Sequence, residues 1–360
     1  MQLTDEQTEV VARVEAWLEG PEQTMTFGGL AGTGKTTVIS QLLQDREASV
    51  CAFTGKAAHV LRGKGVEGAS TIHGLIYKAV EKCSLCNKKI GSCQCKIPVK
   101  RVEFQRRQAI DAEFIIVDEA SMVSRAVRLD LERFGVKILY VGDHGQLPPI
   151  GDDEGIMANP DVRLETIHRQ AAGSPIVQMA HHIREGNEPK TFGDNARVID
   201  AFPKDLTQYD AILCGFNRTR CALNFRVRRE LGHDRRGPLV GELVTCLKNS
   251  SRYGLFNGQI CEVTDVDPKD FTLTVLNDMG LELPELPFWG KQFGAPKTCK
   301  DAPRWVTLWD YGYATTVHRS QGSQYDNVLV VDEQCDYWEA DRWRYTAATR
   351  AAKRLDFLML

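Results

Sequence analysis

The run GGLAGTGKTT at residues 28–37 fits the pattern G-x-x-x-x-G-K-[ST] from Gly29 through Gly34, Lys35 and Thr36. An apolar, β-rich run, TMTFGG (24–29), leads into it and a helical pattern, KTTVISQLL (35–43), leads out of it. Strand, glycine loop and helix together form a cradle whose backbone N–H groups hold phosphate oxygens at a helix N-terminus. Gly32, Thr33, Gly34, Lys35, Thr36 and Thr37 are the expected nucleotide contacts. Lys35 is expected to reach the β- and γ-phosphates, and the Thr36 hydroxyl to ligate Mg²⁺.

Further short β-rich runs alternate with helical stretches: ASVCAF (48–53), FIIVDE (114–119), VKILYVGD (136–143), DAILCGF (210–216) and NVLVVDE (327–333). Several are almost continuously apolar, as strands covered on both faces must be. The alternation predicts parallel sheets covered by helices. The runs fall into groups before and after about residue 165, which predicts two α/β units. Residues 237–310 break the rhythm with GELVTCL, GQICEVTDV and FTLTVL separated by turn residues, a pattern that predicts a small antiparallel sheet or barrel.

FIIVDEAS (114–121) supplies the acidic partner of the phosphate loop. Asp118, ending an apolar strand, is placed to bind Mg²⁺ directly or through water, and Glu119 to orient and deprotonate an attacking water. An arginine delivered from elsewhere in the chain would complete such a site by stabilising the transferred charge. Arg169 and Arg350 both lie after the first group of strands and are candidates for that part.

From LYVGDHGQLPPI (139–150) onward the chain resembles a superfamily 1 helicase of the group containing RecD and the phage Dda helicase. The resemblance runs in order from residue 3 to 355. LTDEQTEVV (3–11) resembles the adenine-contacting segment, with Gln7 reading the base. AFTGKAAHVL (52–61) and STIHGLI (70–76) resemble the segments that lay Thr54, Gly55, Lys56, Thr71 and His73 along single-stranded nucleic acid. Gln146 would touch the γ-phosphate and couple it to the strand. LETIHRQ (164–170) offers Arg169 to the γ-phosphate. In GYATTVHRSQGSQYDNV (312–328), Thr316 and His318 would face the strand and Gly322 the nucleotide. YTAATRAAKRL (345–355) would supply Arg350 as the arginine finger. Gln324 departs from the pattern, since the family often has Glu at that position.

The resemblance implies two RecA-like parallel-sheet P-loop domains: 1A (1–76 and 111–165), and 2A (166–236 and 311–360). It also implies two insertions: 1B (77–110), a small domain that acts as a pin and whose cysteines are read below as zinc-binding, and an SH3-like β-barrel 2B (237–310), toward which LFNGQICEV (255–263) points.

CSLCNKKIGSCQC (83–95) places Cys83, Cys86, Cys93 and Cys95 as C-x2-C-x6-C-x-C. Four thiolates so close in sequence can close a tetrahedral Zn²⁺ site with no position left for a reacting water, so the zinc is read as structural. Such a metal replaces the apolar core that a segment of this size cannot build. The seven other cysteines are scattered and read as small apolar residues.

Composition is ordinary for a globular protein, 42% apolar and 26% charged with a net charge of −3. Charge is unevenly spread: residues 77–110 hold nine Lys/Arg against two Asp/Glu. That segment is either a polyanion-contacting part or a solvated face. The arginine-dense NRTRCALNFRVRRELGHDRR (217–236) leaves the same two readings open, a phosphate-tracking groove or a solvated helix. Phe256, Phe288, Trp289, Phe293, Trp305 and Trp309 read mainly as core, with one or two free to stack on bases.

No apolar run approaches the roughly 18–20 residues that span a membrane. The opening MQLTDEQTEVV lacks the basic-then-apolar order of a secretory leader, so a cytoplasmic location is expected. Eleven cysteines without such a leader point to reduced thiols.

The resulting expectation is a monomeric ATP hydrolase using ATP, Mg²⁺ and structural Zn²⁺. It would translocate 5′→3′ on single-stranded DNA and unwind tailed or forked duplexes in replication or recombination, the polarity following from the resemblance alone. Two alternatives stay open: a zinc-bearing RNA helicase of the same superfamily, and an ATP-switched nucleic-acid-binding subunit of a larger recombination complex.

Overall fold

Thr4 and Gln7 open the first helix, Asp5–Glu19, with a reciprocal capping box. Gln7 N donates to Thr4 Oγ1 (3.3 Å) and Thr4 N donates to Gln7 Oε1 (3.1 Å). Val10, Val14, Trp17 and Leu18 recur at helical spacing and are buried. The computed structural model describes residues 3–359 except 45, 64, 84, 97–99, 150–154, 168–172, 251, 256 and 278–279, and leaves out the side chains of 56, 59, 79, 81 and 100–104. Arg169 and Phe256 therefore lie outside the described residues, as does the side chain of Lys56.

By its contacts the chain divides into two compact units. One comprises Met1–Phe27, Thr36–Gly142 and Ile150–Val162; the other comprises Gly28–Lys35, Asp143–Pro149 and Arg163–Leu360.

One six-stranded sheet comprises strands β1 (Thr24–Gly29), β2 (Ala48–Ala52), β3 (Ser70–Thr71), β6 (Phe114–Asp118), β7 (Lys137–Gly142) and β8 (Val162–Leu164), in the order β3-β2-β6-β7-β1-β8. The pairs β2–β3, β2–β6 and β6–β7 are parallel. The first four residues of β6 are buried, as the unbroken apolar run FIIV requires of a central strand. Between β3 and β6 the chain leaves the sheet as an antiparallel hairpin, β4 (Tyr77–Cys83) with β5 (Lys100–Arg106), in register from Tyr77↔Arg106 to Cys83↔Lys100.

The second unit carries two sheets. Strands β9 (Ala196–Ile199), β10 (Ala211–Cys214), β16 (Ala314–Thr316), β17 (Tyr325–Val331) and β18 (Ala351–Leu358) form a parallel sheet ordered β16-β10-β17-β18-β9. Strands β11 (Leu243–Cys246), β12 (Ile260–Asp267), β13 (Thr272–Asn277), β14 (Glu282–Pro287) and β15 (Trp309–Tyr311) form an antiparallel sheet ordered β14-β13-β12-β11-β15. A bridge between Phe288 and Thr307 joins the chain just past β14 to the chain just before β15, which curls this sheet. Strand β14 contains Pro284 and Pro287 and sits at an edge, where a missing N–H breaks no ladder.

The arginine-dense helix Asn217–Glu230 matches neither of the two readings left open for it throughout its length. Arg220 and Arg228 are buried. Arg220 pairs with Asp310 and donates to Ala295 O (3.0 Å). Arg228 Nε donates to Glu242 Oε1 (2.6 Å), and its guanidinium lies 4.2 Å from the Tyr311 ring centroid. Breaking a buried pair of this kind costs about 3–5 kcal/mol. These two arginines tie the helix to the antiparallel sheet, while Arg218 and Arg229 stay exposed. Phe288, Phe293 and Trp309 are core, whereas Trp305 is 64% exposed.

Among the described residues no helix is long and apolar enough to cross a membrane, and no disulfide joins any of the eleven cysteines.

Candidate functional site

The phosphate loop belongs to the second unit. Gly32 (φ 82°) and Gly34 (φ 84°) turn it through left-handed backbone that a side chain would strain. Thr33 Oγ1 donates to Leu30 O (2.9 Å) and closes the turn. Lys35 Nζ donates to Gly29 O (2.7 Å) and Leu30 O (3.1 Å), which holds the ammonium inside its own loop. Thr36 and Thr37 are half-buried in the first turn of the helix Lys35–Leu42.

The backbone of this loop is held from outside. Ala31 N donates to Tyr345 Oη (2.9 Å), Tyr345 Oη donates to Asp143 Oδ2 (2.8 Å), and a ring nitrogen of His181 lies 3.2 Å from Ala31 O. Asp143 accepts two more bonds, from Gly145 N (2.9 Å) and Gln146 Nε2 (3.3 Å). Burial, and then the Asp143 carboxylate, push the Tyr345 phenol well above the usual tyrosine range, so it stays a neutral donor. Leu147 continues the link: its N–H donates to Thr346 Oγ1 (2.9 Å) and its carbonyl accepts from Gln321 Nε2 (2.9 Å).

Asp143, Tyr345 and Gln321 were not singled out in sequence. The Gly-Asp and Tyr-Thr dipeptides sit inside recognisable segments, but their pairing spans about two hundred residues. Within the same loop, His144 and Gln146 are buried; both His144 ring nitrogens and Gln146 Oε1 have no hydrogen-bond partner in the described structure. Burial lowers the His144 pKa from the ordinary histidine value, which favours the neutral ring.

Arg350 is 4% exposed. Its guanidinium donates to Thr346 O (3.1 Å), Ser323 O (3.2 Å) and Thr349 Oγ1 (3.0 Å). Gly322 takes left-handed backbone (φ 71°) in the turn just before Ser323. Gln324 is exposed. Thr316 ends β16 and is buried at the start of the short helix Val317–Ser320. His318, in that helix, is half-buried, and burial lowers its pKa.

In the first unit, Asp118 closes β6, and its Oδ1 accepts from Glu119 N (2.9 Å). Glu119 lies in left-handed backbone (φ 54°), which costs a non-glycine residue about 1–2 kcal/mol. Strain of this kind concentrates at functional positions. The acid pair therefore sits on a sharp turn that the apolar strand before it gives no hint of. Gln7 is buried, and its carbonyl oxygen serves the helix cap described above. Thr54 Oγ1 accepts from Ala57 N (3.1 Å) at the start of the helix Gly55–Gly63, and Thr71 Oγ1 accepts from Gly74 N (3.0 Å) at the start of the helix Ile72–Ile76. Both threonines cap helices that follow parallel strands, a chemistry shared by phosphate-facing turns. His73 is exposed and packs on Tyr77, 5.7 Å between ring centroids.

Cys83, Cys86, Cys93 and Cys95 cluster at the tip of the β4–β5 hairpin, all four Sγ atoms within 4.8 Å of one another. The Cys86–Cys93 and Cys83–Cys95 separations are 3.4 and 3.9 Å. Four sulfurs about 2.3 Å from one tetrahedral Zn²⁺ stand roughly 3.8 Å apart, so the donor set fits this ion and closes its coordination. The crowding pushes the Cys95 thiol up to about 12, through its hydrogen bond to Cys93 first and to Cys86 next.

The AAA-domain family model matches residues 2–200, and the model of the UvrD-like helicase C-terminal domain matches residues 311–357. The ATP-dependent RecD2 DNA helicase of Deinococcus radiodurans is 27% identical over an alignment covering 98% of this chain and 48% of the relative. The probable conjugal transfer protein TraA of Sinorhizobium fredii is 27% identical over 91% of this chain and 30% of its own length. The chain thus spans about half the length of the first of these relatives and under a third of the second. The crystal structure of Pif1 helicase from Bacteroides in complex with ADP-AlF3 and single-stranded DNA shares the fold, with a TM-score of 0.61 at 20% identity over 99% of this chain and 92% of that one.

Proposed function

Because the chain belongs to the AAA-domain family, as a superfamily 1 helicase of the RecD/Pif1 type, we propose that it hydrolyses ATP to move along single-stranded DNA in the 5′→3′ direction and unwind the duplex ahead. The observation that carries this reading is the Ala31–Tyr345–Asp143 chain of hydrogen bonds. It joins the phosphate loop to a tyrosine five residues before Arg350 and to an aspartate three residues before Gln146. A change at the phosphates thereby reaches two segments that lie far apart in sequence, which is what coupling hydrolysis to movement requires.

In this reading the amides of Gly32, Thr33 and Gly34 cradle the phosphates, Lys35 meets the β- and γ-phosphates, and Gln7 reads the adenine. Thr36 and Asp118 hold Mg²⁺, and Glu119 activates water. Gln146, Arg169 and Arg350 answer the charge of the transferred phosphoryl group. Thr37 and Gly322 complete the nucleotide contacts. Thr54, Gly55, Lys56, Thr71, His73, Thr316 and His318 follow the strand, with phosphate attraction making binding salt-sensitive and independent of sequence. Residues 1–76 with 111–165, and 166–236 with 311–360, act as the two motor domains. Residues 237–310 act as an SH3-like clamp and residues 77–110 as a pin. The protein works as a monomer in the cytoplasm, in replication or recombination.

Replacing Tyr345 by phenylalanine removes both hydrogen bonds of the coupling chain without changing the ring. Each bond is worth about 1 kcal/mol, so with both lost DNA-stimulated turnover is expected to fall roughly thirtyfold. Turnover equal to wild type in a steady-state assay would show that the chain of bonds carries no coupling.

Zinc held by Cys83, Cys86, Cys93 and Cys95 would stiffen the hairpin tip. The deciding assay is ATP-dependent unwinding of forked duplexes bearing only a 5′ or only a 3′ tail, run with and without a zinc chelator. The 5′-tailed substrate is expected to be opened. Chelation should impair opening more than strand-free ATPase; equal loss of both, or of neither, counts against the pin. Stronger ATPase stimulation by RNA than by matched DNA would favour an RNA helicase. Turnover without strand displacement would favour an ATP-switched binding subunit.

A further inference from the structure

Three neighbouring strands of the parallel sheet in the second unit, β16, β10 and β17, each run into a ring beyond their carboxyl ends: His318, Phe216 and Trp338. The rings meet. Trp338 lies 5.6 Å from His318 edge-on and 5.4 Å from Phe216, centroid to centroid. The crevice beyond the carboxyl ends of parallel strands is where open α/β sheets bind ligands.

The cluster is built rigidly. Trp338 is stacked 5.9 Å from the buried Trp343 with 16° between the planes, and its Nε1 donates to Gln334 Oε1 (3.3 Å). Gly215 lets the ring approach, since a Cβ there would stand 3.0 Å from Trp338 Cζ2. Glu333 joins the two loops: Oε2 accepts from Gly215 N (2.8 Å) and Phe216 N (3.2 Å), and Oε1 accepts from Thr219 Oγ1 (2.6 Å).

Three rings organised this closely nonetheless stay only half-buried, and Tyr337 beside them is 93% exposed. One exposed cation flanks them: the Arg218 guanidinium sits 5.5 Å from the Phe216 centroid. Most acids of the same loop are engaged: Glu333 as above, Asp332 with Arg344 (2.7 Å) and Glu339 with Arg342 (3.2 Å), with Asp336 exposed beside Tyr337. That balance suits a flat polarisable ring carrying an anion at its edge better than it suits phosphate alone.

We propose that Phe216, His318 and Trp338 form a stacking platform for an unpaired nucleobase of a single strand, with Arg218 meeting an adjoining phosphate. The inference rests on the nucleic-acid reading above and adds to it two aromatic residues that no strand-contacting segment named in the sequence contains.

The test compares binding of oligothymidylate with binding of an abasic strand of equal length at the same ionic strength, by fluorescence anisotropy. Wild type is expected to prefer oligothymidylate. Trp338→Leu and Phe216→Leu should each weaken oligothymidylate binding on the order of tenfold and leave abasic-strand binding within about twofold. Variants that bind oligothymidylate as wild type does, or lose both strands equally, overturn the platform. So does a wild-type protein that binds both strands equally well. Binding of neither strand by wild type overturns the nucleic-acid reading itself, a distinct result. Should circular dichroism show Trp338→Leu unfolded, Phe216→Leu alone decides, because Phe216 is not stacked on the buried Trp343.

Discussion

Arg350→Ala is expected to lower DNA-stimulated ATP turnover by about 10³-fold or more while changing nucleotide affinity only severalfold. Arginines that stabilise charge on a transferring phosphoryl group are worth about 10³–10⁵ in rate. The guanidinium is held here by Thr346 O, Ser323 O and Thr349 Oγ1, all neutral acceptors. Charge-assisted bonds to phosphate are roughly twice as strong as neutral ones, so exchanging these acceptors for phosphate oxygens is downhill once nucleotide is present. Lysine offers a point charge in place of the planar fork, so Arg350→Lys is not expected to restore turnover. Because Arg350 also satisfies buried carbonyls, a thermal melt belongs beside the steady-state assay. A folded Arg350→Ala protein turning over within threefold of wild type would remove this residue from the phosphoryl-transfer machinery.

Lys35→Ala should be as damaging by another route. The Lys35 ammonium already points into the loop, on Gly29 O and Leu30 O, where phosphate oxygens would compete for it. Loss of a single preorganised charge at a reacting phosphate costs on the order of 10²–10³ in rate. Since the lysine also meets phosphates in the bound ground state, affinity for Mg·ATP should fall along with turnover, unlike the Arg350 variant. Titration with a fluorescent ATP analogue beside single-turnover hydrolysis separates the two. A Lys35→Ala protein retaining more than a tenth of wild-type turnover would show that the loop is not the hydrolytic site.

How far each part of the site could be read in advance follows from how local its chemistry is. The phosphate loop was legible because Gly32 and Gly34 are needed where they stand, by backbone angle, whatever surrounds them. The cysteine cluster was legible because its four ligands lie within thirteen consecutive residues at the end of one hairpin. FIIVD announced a buried strand and its terminal acid, but the left-handed turn at Glu119 left no trace in composition. Thr54 and Thr71 were read as strand contacts, and the structure adds a local role for each as a helix cap. The edge strands β9 and β14 were missed because the first is only four residues long and the second carries two prolines.

Sequence by itself was enough for whatever depends on neighbours along the chain: the nucleotide cradle, the apolar strands and their alternation with helices, and the metal-spaced thiols. Periodicity, glycine geometry and ligand spacing act over a few residues, so they survive without coordinates. Tertiary structure alone decided what depends on strand order. It buried Arg220 beside Asp310 of the antiparallel sheet, hung Ala31 and Asp143 on one phenol, and gathered Phe216, His318 and Trp338 at one sheet end. In each case the partners are separated by long stretches of chain that carry no local pattern, and only the packing of the sheet brings them within bonding distance.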